Sequence, residues 1–412
     1  GEFYKDYDIF TMLPWSENEI LITTMGQGVY IYNAETGLSK TLQSSGGKFN
    51  YLAEYLNSIQ AYSAIPLSDN QYAIATLDVG CVIINREGEV LYRLDKENGL
   101  QDNTVFSLYE SKNGNLWLSL NKGVSFVELK TPFTKFGHNY GIEGIVLDLI
   151  RYKGKLFLTT NTNLYYLEYN RNNLPEFKKK PMDYAVWQMK IFKVPGSDVE
   201  KFLFATSNGV YEFVSFNQPP LKITDVSYYS EKIYQSKFNP NKVFIGYTSG
   251  LALLEYMNGK WVDQGQVGVF RHKIESITED SEGNLWLGTA LKGVIKLNTD
   301  DNTIERLGLN EGMPELGRNK VCFINNEILS TTSKGLYKFN NDLNKFEKYE
   351  GFGEKYLENQ NEISSIVSFK ENEYWTILKD ENSNYEHIEH IKISQDRIVS
   401  INDIPFKRLY KK

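Results

Sequence analysis

Hydrophobic and polar residues alternate in short runs separated by turns, and the clearest example lies between Glu279 and Asn298. The stretch from Ser281 to Asn284 has the composition of a tight turn, because Gly and Asn adopt positive φ at little cost. The run from Leu285 to Leu287 is apolar on both faces, which indicates a strand covered on two sides. Gly293 ends this run, and Val294 to Leu297 returns to partial alternation. The segment therefore predicts antiparallel strands joined by tight turns.

The same pattern recurs along most of the chain. A turn residue precedes the third strand of each copy at positions 40 to 52 residues apart, namely Gly28, Gly80, Gly123, Asn163, Gly209, Gly250, Gly293 and Gly335. A ninth, degenerate copy lies at Tyr374 to Leu378. With a first strand upstream, as at Val105 to Tyr109, and a fourth strand downstream, as at Thr303 to Leu307, each copy is a predicted four-stranded meander.

A sheet of this size cannot bury both faces alone, so such units stack around an axis, and a period of about 40 to 45 residues is typical of β-propellers. We therefore predict an all-β chain, a β-propeller of about nine four-stranded antiparallel blades. One ring typically holds four to eight blades, so nine copies leave two arrangements open. In the first, residues 1–132 form three blades of one seven-bladed ring and residues 133–412 form six blades of the next. In the second, residues 1–412 form a single ring of eight or nine blades.

The second strands carry the predicted core. Trp117, Trp286 and Trp375 lie in the second strands of their copies and are predicted to be buried. The following position is small in eight copies, which fits close approach to a neighbouring backbone. These small residues are Thr23, Ala75, Ser119, Thr159, Ala205, Gly246, Gly288 and Thr331. Cys81 and Cys322 are predicted to be buried free thiols, since they show no metal-ligand spacing.

Composition excludes several classes of function. The formal charge of −7 and the absence of clustered basic residues argue against nucleic-acid binding. No apolar run approaches the 18 residues that would predict a membrane-spanning helix. His387 and His390 would point to opposite faces of a strand, so we predict no metal site there. No convincing catalytic constellation or nucleotide loop is found, and we expect neither an enzyme nor a cofactor.

The segment from Asn98 to Val105, followed by Asn113 to Ser119 and by Gly123-Val124, resembles the two-component-regulator propeller repeat, as does Glu279 to Leu297. This repeat is typical of the extracytoplasmic sensor regions of hybrid two-component histidine kinases, in which two seven-bladed propellers precede an Ig-like domain. The resemblance implies a periplasmic or extracellular location and a ligand that is often a glycan fragment. It also implies signal and membrane segments outside the printed chain, and possible homodimerisation through a missing C-terminal region.

The sequence leaves three classes of function open. The preferred one is a non-enzymatic sensor that binds a small molecule or oligosaccharide. The first alternative is a structural or secretion-associated propeller that binds a protein partner, and the second is a propeller lyase or glycosidase. An enzyme would need convergent carboxylates or a paired histidine at the axis, and the four histidines make this the weakest reading.

Ligand-binding residues are expected in the loops that lead into the first strands, because these loops share one axial face of a propeller. They are polar and aromatic, which suits stacking on sugar rings beside hydrogen-bonding groups. The residues predicted to bind ligand are Tyr140, Trp187, Arg271, His272 and Arg318.

Overall fold

The computed structural model describes residues 2–42, 60–129, 136, 140–169, 175–317, 319–352, 361–370, 372–380, 386–394 and 397–402. Within these residues there is no α-helix, and the helical turns with described bounds are 3-10 turns at Glu2–Tyr4 and Leu309–Glu311. Likewise, no helix in the described residues is of a length and apolarity that would cross a membrane. The predicted all-β class is confirmed.

The chain forms two compact units, and the first comprises Gly1–Ile142 with Glu168–Phe177. This unit contains three antiparallel sheets, and the third shows three strands among the described residues. Their strands are β1 (Ile9–Pro14), β2 (Glu19–Thr24), β3 (Val29–Asn33) and β4 (Ser39–Thr41); β5 (Ala61–Leu67), β6 (Gln71–Thr76), β7 (Cys81–Asn85) and β8 (Val90–Leu94); and β9 (Val105–Glu110), β10 (Leu116–Leu120) and β11 (Gly123–Val127). The domain boundary predicted at residue 132 lies outside the described residues.

The second unit comprises Glu143–Leu167 and Lys178–Lys412 and accounts for most of the other six sheets. Their strands are β12 (Val146–Tyr152), β13 (Lys155–Thr160), β14 (Asn163–Tyr169) and β15 (Pro175–Pro181); β16 (Val186–Lys193), β17 (Glu200–Thr206), β18 (Gly209–Phe213) and β19 (Leu221–Lys222); β20 (Ser230–Gln235), β21 (Lys242–Tyr247), β22 (Gly250–Met257) and β23 (Lys260–Val267); β24 (Ile274–Glu279), β25 (Leu285–Thr289), β26 (Val294–Leu297) and β27 (Ile304–Leu307); β28 (Lys320–Ile324), β29 (Glu327–Thr332), β30 (Gly335–Asn340) and β31 (Lys345–Lys348); and β32 (Asn361–Lys370), β33 (Glu373–Asp380), β34 (Glu386–Ser394) and β35 (Arg397–Asn402).

Each sheet is a meander whose strands pair in chain order. Glycine opens the third strand because the backbone there has positive φ, as at Gly80 (91°) and Gly293 (71°). A Cβ on either residue would overlap a carbonyl oxygen of the fourth strand, that of Leu94 or Leu307. The repeated glycine thus lets the third and fourth strands of a blade approach closely.

A buried threonine closes the same turn in five blades. Its hydroxyl donates a hydrogen bond of 2.7 to 2.8 Å to the carbonyl oxygen of the glycine that opens the third strand. The pairs are Thr24 and Gly28, Thr76 and Gly80, Thr206 and Gly209, Thr289 and Gly293, and Thr332 and Gly335. The bond satisfies a buried hydroxyl and fixes the second hairpin of the blade.

The hydrophobic core lies between neighbouring blades. Trp286 on β25 is 1% exposed and packs edge to face on Phe339 of the next blade, with ring centroids 4.7 Å apart. Its indole N–H donates to Asp280 Oδ2 at 2.7 Å. The predicted burial of Trp286 is therefore confirmed.

The prediction for Trp117 was wrong, because this side chain is 44% exposed. On β10 the buried residues are Leu116, Leu118 and Leu120, so Trp117 points to the opposite face of the sheet. Its ring contacts Phe126 of β11, which is also exposed. Trp375 is half-buried rather than fully buried and lies on the ring of His390.

Both cysteines are free, as predicted. Cys81 is fully buried in the first unit, and Cys322 is half-buried in the second.

Candidate functional site

The first strands of five blades in the second unit line a single cavity of about 290 Å³. These strands are β16, β20, β24, β28 and β32. Neighbouring first strands pack against each other in chain order, beginning with β12 against β16. The cavity therefore lies on the inner side of the blades, where their first strands converge.

β-Bulges near the start of five first strands of this unit, all except β28, direct side chains towards this region. In β12, Val146 pairs with Thr160 and Asp148 pairs with Thr159, so Leu147 is an extra residue. The first strands β16, β20, β24 and β32 shift register in the same way. A bulge twists the strand and re-aims the residues after it.

In each bulged first strand, one residue pairs directly after the bulge. Together with the equivalent residue of β28, these residues form what we term the inner polar column. Its members are Asp148, Gln188, Lys232, Ser276, Lys320 and Ser365. Gln188, Lys232, Ser276, Lys320 and Ser365 line the cavity. All six are polar, although they occur within strands that also supply core residues.

Three members of the inner polar column accept hydrogen bonds from the next blade. The backbone N–H of Met189 donates to Asp148 Oδ2 at 2.6 Å. The N–H of Ile233 donates to Gln188 Oε1 at 2.7 Å, and the N–H of Val321 donates to Ser276 Oγ at 2.7 Å. Each first strand is the inner edge of its sheet, so these side chains satisfy N–H groups that have no strand partner.

The two lysines of the column cannot act in this way, because an ammonium group has no acceptor. Lys320 Nζ instead donates to the carbonyl oxygen of Ser364 at 2.8 Å. Lys232 makes no hydrogen bond or ion pair with any described residue. A third lysine, Lys190, lies two residues beyond Gln188 on β16 and also lines the cavity.

The pKa values of Lys232, Lys190 and Asp148 are shifted from their ordinary values. Burial lowers the pKa of Lys232, and Lys320 adds to the effect while Glu275 opposes it. Burial likewise lowers the pKa of Lys190, against the attraction of Asp148. Burial raises the pKa of Asp148, although the N–H groups of Met189 and Leu149 oppose the rise. The site is therefore partly desolvated while it remains open to water.

Trp187 occupies the bulge position of β16, directly before the cavity-lining Gln188. Its ring lies 5.6 Å from that of Tyr229, which precedes β20 and is 39% exposed. The indole N–H is buried and has no acceptor among the residues described. Trp187 itself is not among the residues that line the cavity, but its ring and that of Tyr229 form an aromatic pair beside Gln188 in the chain.

The other predicted binding residues lie elsewhere. Arg271 is exposed and His272 half-buried in the loop before β24, and neither lines the cavity. Tyr140 belongs to the first unit, where its ring contacts Phe136. Arg318 lies outside the described residues. Among the four placed residues, no hydrogen bond, ion pair or ring contact joins one to another.

The sequence-based prediction placed the site in the loops before the first strands and did not include the cavity-lining lysines. A signal was nevertheless present, since the six members of the inner polar column recur every 40 to 45 residues. Each is followed directly by an apolar residue, as in Lys232-Ile233 and Lys320-Val321. The bulge hides this column from a simple period of two.

The described residues offer limited catalytic chemistry. They contain no group of three or more His, Cys, Asp or Glu side chains that could hold a metal ion. Cys322 lines the cavity, but burial raises its pKa to about 12. The thiol is therefore protonated at neutral pH and is a poor nucleophile. What the arrangement can do is bind a polar molecule through ammonium, carboxylate, amide and hydroxyl groups.

Comparison with known proteins supports the repeat assignment. The sequence model of the family described as "Two component regulator propeller" matches residues 99–122 and 270–290. These residues lie in the third and seventh copies, where the resemblance is strong. No curated protein matches the chain.

Similar folds occur among solved structures. The extracellular domain of the hybrid two component system BT3049 from B. thetaiotaomicron is 17% identical, with a TM-score of 0.61 over 92% of this chain. The extracellular domain of the one component system BT4673 from B. thetaiotaomicron is 15% identical, with a TM-score of 0.51 over 97% of this chain. The chain spans 55% of each of those structures. The predicted fold and resemblance are confirmed: the chain is a β-propeller, and two of its repeats match the two-component regulator propeller family.

Proposed function

We propose that the chain is the non-enzymatic, ligand-sensing β-propeller region of an extracytoplasmic two-component signalling protein. Its two matched repeats are of the two-component regulator type. The similar solved structures are extracellular domains of signalling systems, which supports a periplasmic or extracellular location. The cue binds in the cavity of the second unit.

One observation carries this assignment: first strands from five blades place charged and polar side chains in one cavity. A fold that only needed stability would gain little from half-buried lysines at this position. The volume of about 290 Å³ lies just below the range that is usual for small-molecule sites, roughly 300 to 1,000 Å³. The cavity therefore suits a single ring-sized part of a ligand.

The ligand that fits best is a saccharide. Trp187 and Tyr229 supply aromatic faces of the kind that stack on sugar rings. Arg271 and His272, in the loop before β24, are retained as candidates for contacts with further sugar units of an oligosaccharide.

Calorimetric titration with a panel of oligosaccharide fragments tests the proposal. Wild type is expected to bind at least one fragment, and Trp187→Ala to weaken that binding at least tenfold. The matched control is Tyr92→Ala, which removes a ring that is 47% exposed on β8 of the first unit. Arg271→Ala combined with Arg318→Ala tests the predicted loop residues separately. Equal affinity of wild type and Trp187→Ala would place the ligand elsewhere.

A protein-binding propeller is the second candidate, and the third blade favours it. Tyr109, Trp117 and Phe126 lie on one face of this sheet and are 63%, 44% and 45% exposed. Exposed aromatic patches are typical of protein interaction sites. No binding across the saccharide panel, together with a partner whose binding is lost in Trp117→Ala, would favour this candidate.

A further inference from the structure

The inner polar column contains an irregularity that blade packing does not explain. At Asp148, Gln188 and Ser276 the side chain accepts a hydrogen bond from the next first strand. At Lys232 and Lys320 this acceptor is replaced by an ammonium group, which can only donate. The exchange removes a contact between blades and adds positive charge to the cavity.

These ammonium groups are poorly compensated. Lys232 and Lys190 have no hydrogen-bond or ion-pair partner in the part of the chain that the structure describes. Glu275 is the acidic residue of the cavity lining, and its carboxylate lies 3.5 Å from Lys273 Nζ. Lys273 in turn lies 2.9 Å from Glu231. Glu275 and Glu231 are therefore shared with Lys273. The other carboxylate that attracts Lys190 and Lys232 is Asp148, which also accepts from Met189 N–H.

The lining as a whole carries three lysines against one glutamate, in a chain whose formal charge is −7. Lys320 also lowers the pKa of Lys232, so the two positive charges are close enough to repel each other. A partly desolvated charge without a partner, such as that of Lys232, is unfavourable, and an anion between Lys232 and Lys320 would compensate this charge and relieve the repulsion between the two.

We propose that the cavity holds an anionic group of the ligand, a sulfate ester or carboxylate, between Lys232 and Lys320, with Lys190 on the flanking strand. This inference rests on the proposed function, because it assigns the charge of the cue that the cavity receives. Each ammonium acts as a point charge and donates to an anionic oxygen. The positive cavity attracts an anion within an otherwise negative protein.

Nuclear magnetic resonance of the protein with ¹³C-dimethylated lysines tests the charge assignment, because dimethylation keeps the positive charge. Inorganic sulfate is the first probe. The signals of Lys232 and Lys320, assigned from the Met variants, are expected to shift in a saturable manner. Lys232→Met and Lys320→Met should each weaken sulfate binding at least tenfold. Lys242→Met is the matched control, since Lys242 lies on β21 of the same blade as Lys232 but not in the cavity lining.

The source of the anion is distinguished with D-glucose 6-sulfate, D-glucuronate and D-glucose. Tighter binding of a charged sugar than of sulfate would place the anionic group on a saccharide, whereas tighter binding of sulfate would identify a free oxyanion as the ligand. Glucose that binds as tightly as its sulfate ester would overturn the anionic site and leave the proposed saccharide sensor standing. Cavity lysines that respond to sulfate no more than Lys242 would also overturn it. Sulfate binding without a response to any fragment of the oligosaccharide panel would instead refute the saccharide ligand and retain the anion site.

Discussion

Gly288 on β25 lies against the backbone of Asn319, which directly precedes the first strand of the next blade. A Cβ on Gly288 would overlap the carbonyl oxygen of Asn319 and the hydroxyl of Ser276. That hydroxyl accepts the hydrogen bond from Val321 N–H that joins the two blades. The small residue at this position is therefore required by the distance between neighbouring blades.

We expect Gly288→Ala to lower the free energy of unfolding by roughly 1 to 3 kcal/mol, the usual cost of overpacking. Chemical denaturation measures it. Gly308→Ala is the control, because a Cβ there meets mainly the end of the flexible Leu316 side chain at 3.1 Å. A similar loss of stability in both variants would show that glycine content, rather than blade spacing, sets the effect.

Replacing Trp286 by Ala should destabilise the protein by roughly 3 to 5 kcal/mol, because removal of a buried aromatic side chain leaves a cavity. Trp286 fills the space between β25 and the next blade and also donates a hydrogen bond to Asp280. The midpoint of urea unfolding provides the measurement. Trp117→Ala, at a 44% exposed position, should cost less than about 1 kcal/mol. A loss below about 1 kcal/mol for Trp286→Ala would contradict its burial.

The blade repeat could be predicted because its turns need specific residues. Gly80 and Gly293 precede third strands at positive φ, and a Cβ there would clash with the fourth strand. The small residue that follows the core residues of each second strand was also predictable, since Gly288 at this position faces a neighbouring backbone. Such constraints act at fixed positions in each copy, so a single sequence displays them repeatedly.

The site could not be predicted in the same way. The bulge in β20 breaks the alternation that would assign Lys232 to the inner side, whereas Lys320 lies on β28, which pairs without a bulge. The exposure of Trp117 was also hidden, because both it and Trp286 stand in an apolar Leu-Trp-Leu run. Whether the second face of such a strand is covered depends on the adjacent blade, which the local sequence does not specify.

Asp148→Asn should change the dependence of stability on pH. The pKa of Asp148 is raised above its ordinary value of 3.8 by burial, so the folded state binds this proton more readily than the unfolded state. In wild type this difference in proton binding makes the free energy of unfolding fall as pH rises from 3.8 through the raised pKa. Asn keeps an acceptor for Met189 N–H but does not ionise. The variant should therefore lose less stability between pH 3.8 and neutrality.

Denaturation curves recorded across that range measure the effect. Asp198→Asn is the control, since Asp198 is exposed in the loop between β16 and β17. Parallel pH profiles for wild type and Asp148→Asn would show that the buried carboxyl does not contribute as stated.

Lys232→Met should stabilise the protein at neutral pH, which is unusual for a change in a strand interior. The pKa of Lys232 is lowered in the fold, chiefly by burial, so its charged form is disfavoured there. Below the lowered pKa the folded protein carries this cost, and the cost disappears as pH rises towards the ordinary value of 10.5. Met keeps the apolar stem of the side chain and removes the charge. We expect a gain of up to about 1 kcal/mol, at the low end for replacing buried charges, because Lys232 still contacts water.

Thermal and urea unfolding at pH 7 and near pH 10 measure this gain, which should be smaller at the higher pH. Lys242→Met on the same blade controls for the exchange of a lysine for methionine at a half-buried position outside the cavity. The Lys232→Met variant should also lose binding at the proposed anion site, because the ammonium group that destabilises the ligand-free protein is the group that binds the anion. A Lys232→Met variant that is less stable than wild type would mean that the ammonium has a favourable partner in the folded protein. The lysine would then be a structural element, and the anion site would lose its main support.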